Sequence, residues 1–251
     1  HTQFNMEIPY DTIDMDFMNE NQSAHGGREF GHIFTRLGIE RKVVVGHWSD
    51  EKVQEKIASW MRTAVGVIES SHVRVMRVAD NMRNVAVTEG DKVEAQIKFG
   101  WEVDAYPVNE IAESVDAVSA ADVNTLVEEY YDKYEILLEG RDPEEFRKHV
   151  AVQAQIELGF ERFLEEKNYQ AIVTHFGDLG ALKQLPGLAI QRLMQKGYGF
   201  GAEGDWKTAA MVRIMKIMTE GMKDAKGTSM LEDYTYNFVP GKEGILQAHM
   251  L

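Results

Sequence analysis

The sequence contains no cysteine. Disulfides and thiolate metal sites are therefore excluded. Long apolar runs are also missing. Val43-Val44-Val45 is typical of those present, far short of the roughly 20 residues that a membrane-spanning helix needs. Positive charge is scarce: 27 Lys and Arg against 41 Asp and Glu give a net charge of −14. Such a chain repels nucleic acid and anionic membrane surfaces, so neither is expected as a partner. No basic-then-apolar leader opens the chain. The expectation is a cytoplasmic protein in a reducing compartment.

What remains is ordinary globular composition, 44% hydrophobic and 27% charged over 251 residues. That is enough for one large domain or two moderate ones. Neither end looks natural. The chain opens on His1 and runs straight into Phe4 and Ile8, and it closes on the apolar-polar mix Gln247 to Leu251. Both ends are expected to be cuts through an ordered region of a longer chain.

Periodicity predicts an α/β protein. Lys42 to Gly46 is a β-branched run and is expected to be a buried strand. Ser49 is expected to cap a helix with Asp50 and Glu51 in its first turn. Val53, Ile57, Trp60, Met61, Ala64 and Ile68 follow at helical spacing, a face expected to pack on a sheet. Val73 to Val78 predicts a strand. Val85 to Val87, Glu89-Gly90-Asp91 and Val93 to Phe99 suggest a hairpin. Ala121 to Tyr134 predicts a helix, as does the stretch from Pro143 to Glu166. Ala171 to Thr174 predicts a strand, and Leu188 to Gln195 and Lys207 to Glu220 predict helices. Alternating strands and helices imply mostly parallel sheets covered by helices. Gly140 to Pro143 and Met222 to Gly227 are the most linker-like segments.

Three places carry unusual chemistry. In Tyr198-Gly199-Phe200-Gly201-Ala202-Glu203-Gly204-Asp205, three glycines surround one glutamate just before a helix. Glycine permits positive φ or a close approach to a ligand, so Glu203 is placed to reach a metal or substrate. A surface turn before an N-cap explains the same residues. Phosphate binding does not, because Glu203 and Asp205 would repel it. In Leu231-Glu232-Asp233-Tyr234-Thr235-Tyr236-Asn237-Phe238, two acids enter an alternating strand, where a solvated strand start is the plainer reading. His249 lies among Leu246, Ala248, Met250 and Leu251, as a core histidine would. Two carboxylates and an imidazole together suit a hard or borderline divalent ion. Their separations in sequence carry no geometry.

Long segments of this chain resemble the bacterial L-arabinose isomerase family. They include His1-Thr2-Gln3-Phe4-Asn5, Ile13 to Asn19, and Ala24-His25-Gly26-Gly27-Arg28-Glu29-Phe30-Gly31. Others are Asp80-Asn81-Met82-Arg83, Ala95 to Gly100, Leu182 to Gly187, the Glu203 loop, and Glu232-Asp233-Tyr234-Thr235-Tyr236. The resemblance implies Rossmann-like three-layer α/β domains followed by the start of a β-rich domain. It places the end of a first domain at 1–73, a central domain at 74–222 and the opening of a third at 223–251. It implies one Mn²⁺ per site, with Co²⁺ or Mg²⁺ as substitutes, held by Glu203, Glu232 and His249. The family's second histidine falls beyond Leu251.

The implied reaction interconverts L-arabinose and L-ribulose, and also D-galactose and D-tagatose, through a cis-enediol. Glu203 and Glu232 serve as acid and base. Gln22, His25, Met82 and Phe176 match substrate-pocket positions. For His25 a structural loop role remains open, and for Met82 and Phe176 a core role. The other histidines, His32, His47, His72, His149 and His175, are expected to be structural or solvated, and Glu128-Glu129 to lie on a solvated face. The family implies a hexamer. Two rival functions stand beside this one: an isomerase of another sugar such as L-fucose, and a non-catalytic sugar-binding module.

Overall fold

The structure, a computed structural model, describes residues 4–223 and 229–248. It divides into two compact units, one ending at Ala64 and the other beginning at Val65.

The first unit is helical. Asp14 opens α1 (Met15–Glu20) by accepting a hydrogen bond from Phe17 N–H at 2.8 Å. Then come α2 (Ser23–Arg36) and α3 (Glu51–Ser70), the last running on past the unit boundary. The strand expected at Lys42 to Gly46 does not form, and Val43 and Val45 are each 67% exposed. The reason is that no strand is described among residues 4–64, so the run has no ladder to join. The cap of α3 is also shifted by one residue. Asp50 Oδ1 accepts from Lys52 N–H, while Ser49 Oγ bonds His47 instead. Val53 is the only buried apolar side chain described in this unit. It sits against Gly46, where a Cβ would collide with it. The remaining stripe of α3 follows the expected helical spacing but is exposed rather than packed on a sheet, Trp60 and Met61 included.

The second unit is a layered α/β body. Its elements are β1 (Arg74–Val78), α4 (Lys92–Phe99), β2 (Glu102–Tyr106), α5 (Val108–Asp116), α6 (Ala120–Lys133) and α7 (Pro143–Lys167). They are followed by β3 (Ala171–Val173), α8 (Gly187–Gln195), β4 (Gly199–Gly201) and α9 (Trp206–Thr219). The four strands are all parallel, in the order β2-β1-β3-β4. An antiparallel pair, β5 (Glu232–Asn237) and β6 (Gly244–Ala248), ends the described chain. Strand alternation sorts the core. Met76, Val78, Ile172 and Phe200 face α5, α7 and α8 through Ile111, Phe160 and Ile190. Val75, Ala171 and Val173 face α4 and α9 through Ala95, Trp206 and Ala209. Burying side chains of this size stabilises the fold by about 1.5–3 kcal/mol each before entropy is counted.

The expected hairpin at Val85 to Phe99 is instead a short 3₁₀ turn, Ala86–Thr88, followed by α4. Local chemistry explains the difference. Asp91 caps the helix by accepting from Glu94 N–H at 2.9 Å, Glu94 pairs with Lys98 one turn on, and Gly100 closes it at φ +78°. Glu128 is exposed as expected, with its side chain 69% accessible, and Glu129, 41% accessible, also reaches the buried guanidinium of Arg192 at 2.7 Å. Asp142, in the linker-like stretch before Pro143, caps α7 through Glu144 and Glu145 N–H. The second linker-like stretch lies partly outside the described residues.

Candidate active site

The crossover β1–α4–β2 leaves on the Trp206 face, whereas β3–α8–β4 leaves on the Phe160 face. Neighbouring strands β1 and β3 therefore send their chains in opposite directions. In parallel sheets a crevice opens at the carboxyl ends of two such strands. A cleft of about 620 Å³ lies there, lined by the loops after β1 and β3, with Asp80, Met82, Arg83, Glu89, His175 and Asp178 among its walls. Ordered donors and acceptors at the mouth of a crevice suit a polyhydroxylated ligand.

The Glu203 loop is tied to both of these loops. Met82 N–H donates to the Glu203 carbonyl at 2.9 Å, and Gly204 N–H donates to the Thr174 carbonyl at 3.2 Å. The glycines here do different work from that expected. Gly199 and Gly201 belong to β4 and let α9 lie directly on the strand: a Cβ on Gly199 would meet the Ala209 carbonyl, and one on Gly201 the Asp205 carbonyl. Gly204 alone serves the loop, at φ +84°. Asp205 caps α9, accepting from Lys207 and Thr208 N–H.

Glu203 is half-buried at φ +57°, and Glu232 is half-buried at the start of β5. Burial pushes the Glu232 carboxyl above the usual range, and the charges of Glu203 and Asp233 add to the effect. The Glu203 charge thus reaches Glu232. Glu232 is opposite Ala248 across the β5–β6 pair. His249, the third expected ligand, follows Ala248 in sequence and lies outside the described residues. Among the described residues, no three His, Cys, Asp or Glu side chains gather closely enough to hold a metal.

Met82 is half-buried in the cleft wall. Phe176 is 37% exposed, its ring edge-on to His175 with centroids 5.9 Å apart. Gln22 and His25 belong to the unit ending at Ala64. Gln22 is exposed at the start of α2 and caps nothing with its side chain. His25 is on α2 rather than on a glycine loop, 3.4 Å from Glu29 one turn on.

Sequence reasoning missed His175, which it treated as structural or solvated. It sits in the cleft, and its Nδ1 accepts from Gly177 N–H at 3.0 Å, so the neutral ring carries its proton on Nε2. Asp80, Arg83 and Asp178 were missed as well. The available signal was position: each follows the carboxyl end of a parallel strand.

Comparison with known proteins agrees with this architecture. Residues 1–72 match the family described as L-arabinose isomerase N-terminal domain, and residues 74–221 match L-arabinose isomerase central domain. Over all 251 residues the chain is 58% identical to an L-arabinose isomerase of Geobacillus thermodenitrificans and covers 50% of that protein. It is 58% identical to one from Anoxybacillus flavithermus, covering 49% of it, again along the whole of this chain. Against the enzyme of Bacillus subtilis the identity is 54%, with 50% of that protein covered. The chain spans about half the length of the curated relatives it matches. With both of its principal segments matched, the chain belongs to the L-arabinose isomerase family.

Proposed function

We propose that the complete protein is an aldose–ketose isomerase that interconverts L-arabinose and L-ribulose, and D-galactose and D-tagatose, with Glu203 and Glu232 as its proton carriers. The observation that carries this reading is the charge of Glu203 acting on the half-buried Glu232, with the Glu203 loop tied to the loops that wall a polar cleft at the carboxyl edge of the sheet.

Isomerisation requires a proton to leave C2 and arrive at C1, and a second proton to move between O1 and O2. One carboxylate takes the carbon-bound proton and returns it on the adjacent carbon. The other exchanges a proton with the hydroxyls. A carboxylate suits either role, because the proton it accepts is one it later returns as the conjugate acid. Met82 and Phe176 offer apolar surface to the carbon chain, and His175 offers an Nε2–H donor to a hydroxyl.

The donor set fits Mn²⁺. A Glu232 carboxyl whose proton affinity is raised by burial and by the Glu203 charge is relieved by a divalent cation, and oxygen with imidazole suits Mn²⁺, with Co²⁺ or Mg²⁺ as alternatives. Glu203, Glu232 and His249 would hold it. When bound, the ion supplies electrophilic stabilisation of the negative charge that develops on the sugar oxygens. Assembly into a hexamer is part of the same proposal.

The test is to assay L-ribulose from L-arabinose with the complete protein before and after exhaustive chelation, then after Mn²⁺ is returned. Loss and recovery of turnover are expected. Undiminished turnover after chelation would remove the metal from the account. Turnover of L-fucose alone would identify an isomerase of another sugar, and sugar binding without ketose would identify a binding module.

A further inference from the structure

We propose that Asn81 is a positioning residue that holds Glu203 in its left-handed backbone geometry. The inference rests on Glu203 being the proton carrier and metal ligand proposed above.

Glu203 sits at φ +57°. A residue with a Cβ keeps that conformation only when its surroundings enforce it. The enforcement comes from the loops after β1 and β3, and the Thr174 carbonyl after β3 accepts from Gly204 N–H at 3.2 Å. Met82 N–H holds the Glu203 carbonyl at 2.9 Å. The Asn81 carboxamide holds the next peptide: its Nδ2 donates to the Gly204 carbonyl at 3.4 Å and to the Thr88 carbonyl. Its Oδ1 accepts from Arg77 Nη1, and Arg77 Nη2 pairs with Asp80 at 3.0 Å. Asn81 is 9% exposed. A Cβ added to Gly204 would stand 2.5 Å from the Asn81 Cα, so the two backbones are in close contact.

The carboxamide is used at both ends, as acceptor towards Arg77 and as donor towards two carbonyls. Only an amide of this length meets both demands. Aspartate has the same shape but accepts only, and would set a carboxylate oxygen against two carbonyl oxygens. Asn81 therefore acts on the reaction through the Gly204–Asp205 peptide, the one that follows the Glu203–Gly204 unit. Release of that peptide lets Glu203 drift from productive geometry without removing its carboxylate.

The experiment compares Asn81→Asp, Arg77→Lys and Glu203→Gln in the complete protein. It measures the Mn²⁺ Kd by calorimetry, kcat and KM for L-arabinose, and the melting temperature. Asn81→Asp should weaken Mn²⁺ binding and lower kcat by about 10- to 100-fold, the usual effect of losing a residue that orients a ligand. KM should stay within about threefold of wild type. Excess Mn²⁺ should restore part of kcat in Asn81→Asp and none in Glu203→Gln. Arg77→Lys keeps the charge but loses the fork that spans Asn81 and Asp80. It should move Kd and kcat in the same direction by a smaller factor, and it carries the test if Asn81→Asp does not fold. A purely structural role would lower the melting temperature and leave Kd and kcat within about twofold of wild type. That result in Asn81→Asp, or in Arg77→Lys where Asn81→Asp fails to fold, would overturn the inference if Glu203→Gln is inactive. An active Glu203→Gln would overturn the underlying reading instead.

Discussion

Replacing Glu157 by glutamine should destabilise the second unit more than almost any other single change of a polar residue. Glu157 is completely buried on α7. It accepts from Tyr130 Oη at 2.5 Å, Arg192 Nε at 2.7 Å and Lys196 Nζ at 2.9 Å. Arg192 is itself buried and lies over the Tyr130 ring, 4.8 Å from its centroid. The cluster thus ties α6, α7 and α8 through charges removed from water. Glutamine keeps the shape but brings an NH₂ group to a site ringed by donors. Arg192 retains Glu129 at 2.7 Å and Lys196 retains Glu161 at 2.6 Å. The loss should therefore fall at the lower end of the range for breaking a buried ion pair, about 3 kcal/mol. For a unit of this size that corresponds to a fall of roughly 6–12 °C in Tm. Calorimetry reads the shift, and hydrogen exchange of α7 and α8 amides assigns it to this unit. Adding Arg192→Met removes one of the donors left facing the new amide, so the double variant should lose less than the sum of the two single losses. A loss below about 1 kcal/mol, the scale of an exposed ion pair, or strictly additive effects, would refute the reasoning.

Other changes follow from the same geometry. Gly199→Ala forces a Cβ against the Ala209 carbonyl and within 2.9 Å of the Arg213 Cβ. It should cost about 1–3 kcal/mol by pushing α9 off β4, and an unchanged urea midpoint would contradict this. Lys133 and Arg192 hold the Glu129 carboxyl below its ordinary 4.5. A carboxylate held low contributes stability that is present above its unfolded pKa and lost as pH falls through the lowered value. Stability should therefore drop on acidification below 4.5 less steeply in Glu129→Gln than in wild type, and parallel acid limbs would count against it. Asp91→Ala should cost about 1 kcal/mol by removing the cap of α4, with Asp91→Asn close to neutral in the same melts.

Four helices were legible in the sequence. Pro143 before an apolar stripe located α7, and the patterns of α6, α8 and α9 were read within one or two residues of their observed ends. β1 was legible as apolar residues alternating with Arg74 and Arg77, and β3 as a short apolar run. The errors arose where tertiary context decides. Val43-Val44-Val45 has strand composition, but a strand needs a partner, and none is described in that unit. Val93 to Phe99 alternates enough to suggest a strand, yet the Asp91 cap and the Glu94–Lys98 pair select a helix. β2 and β4 were missed because Glu102–Tyr106 carries two acids and Gly199–Gly201 is mostly glycine. In β4 the glycines reflect a helix backbone pressed against the strand, information absent from any local pattern.

The candidate site divides in the same way. Glu203 stood out because a glutamate flanked by three glycines before a helix is chemically unusual. Glu232 resembled a solvated strand start, and only folding sets it against Glu203. His175 carried no local signal, because its place in the cleft depends on which strands become neighbours.

The central claim is that Glu203 and Glu232 carry the protons of the isomerisation. The most direct test is turnover of L-arabinose by the complete, Mn²⁺-loaded protein carrying Glu203→Gln or Glu232→Gln. The account predicts that each variant loses about a thousandfold or more in kcat, since each forfeits a proton carrier together with a charged ligand. Turnover within about tenfold of wild type in either variant would contradict it.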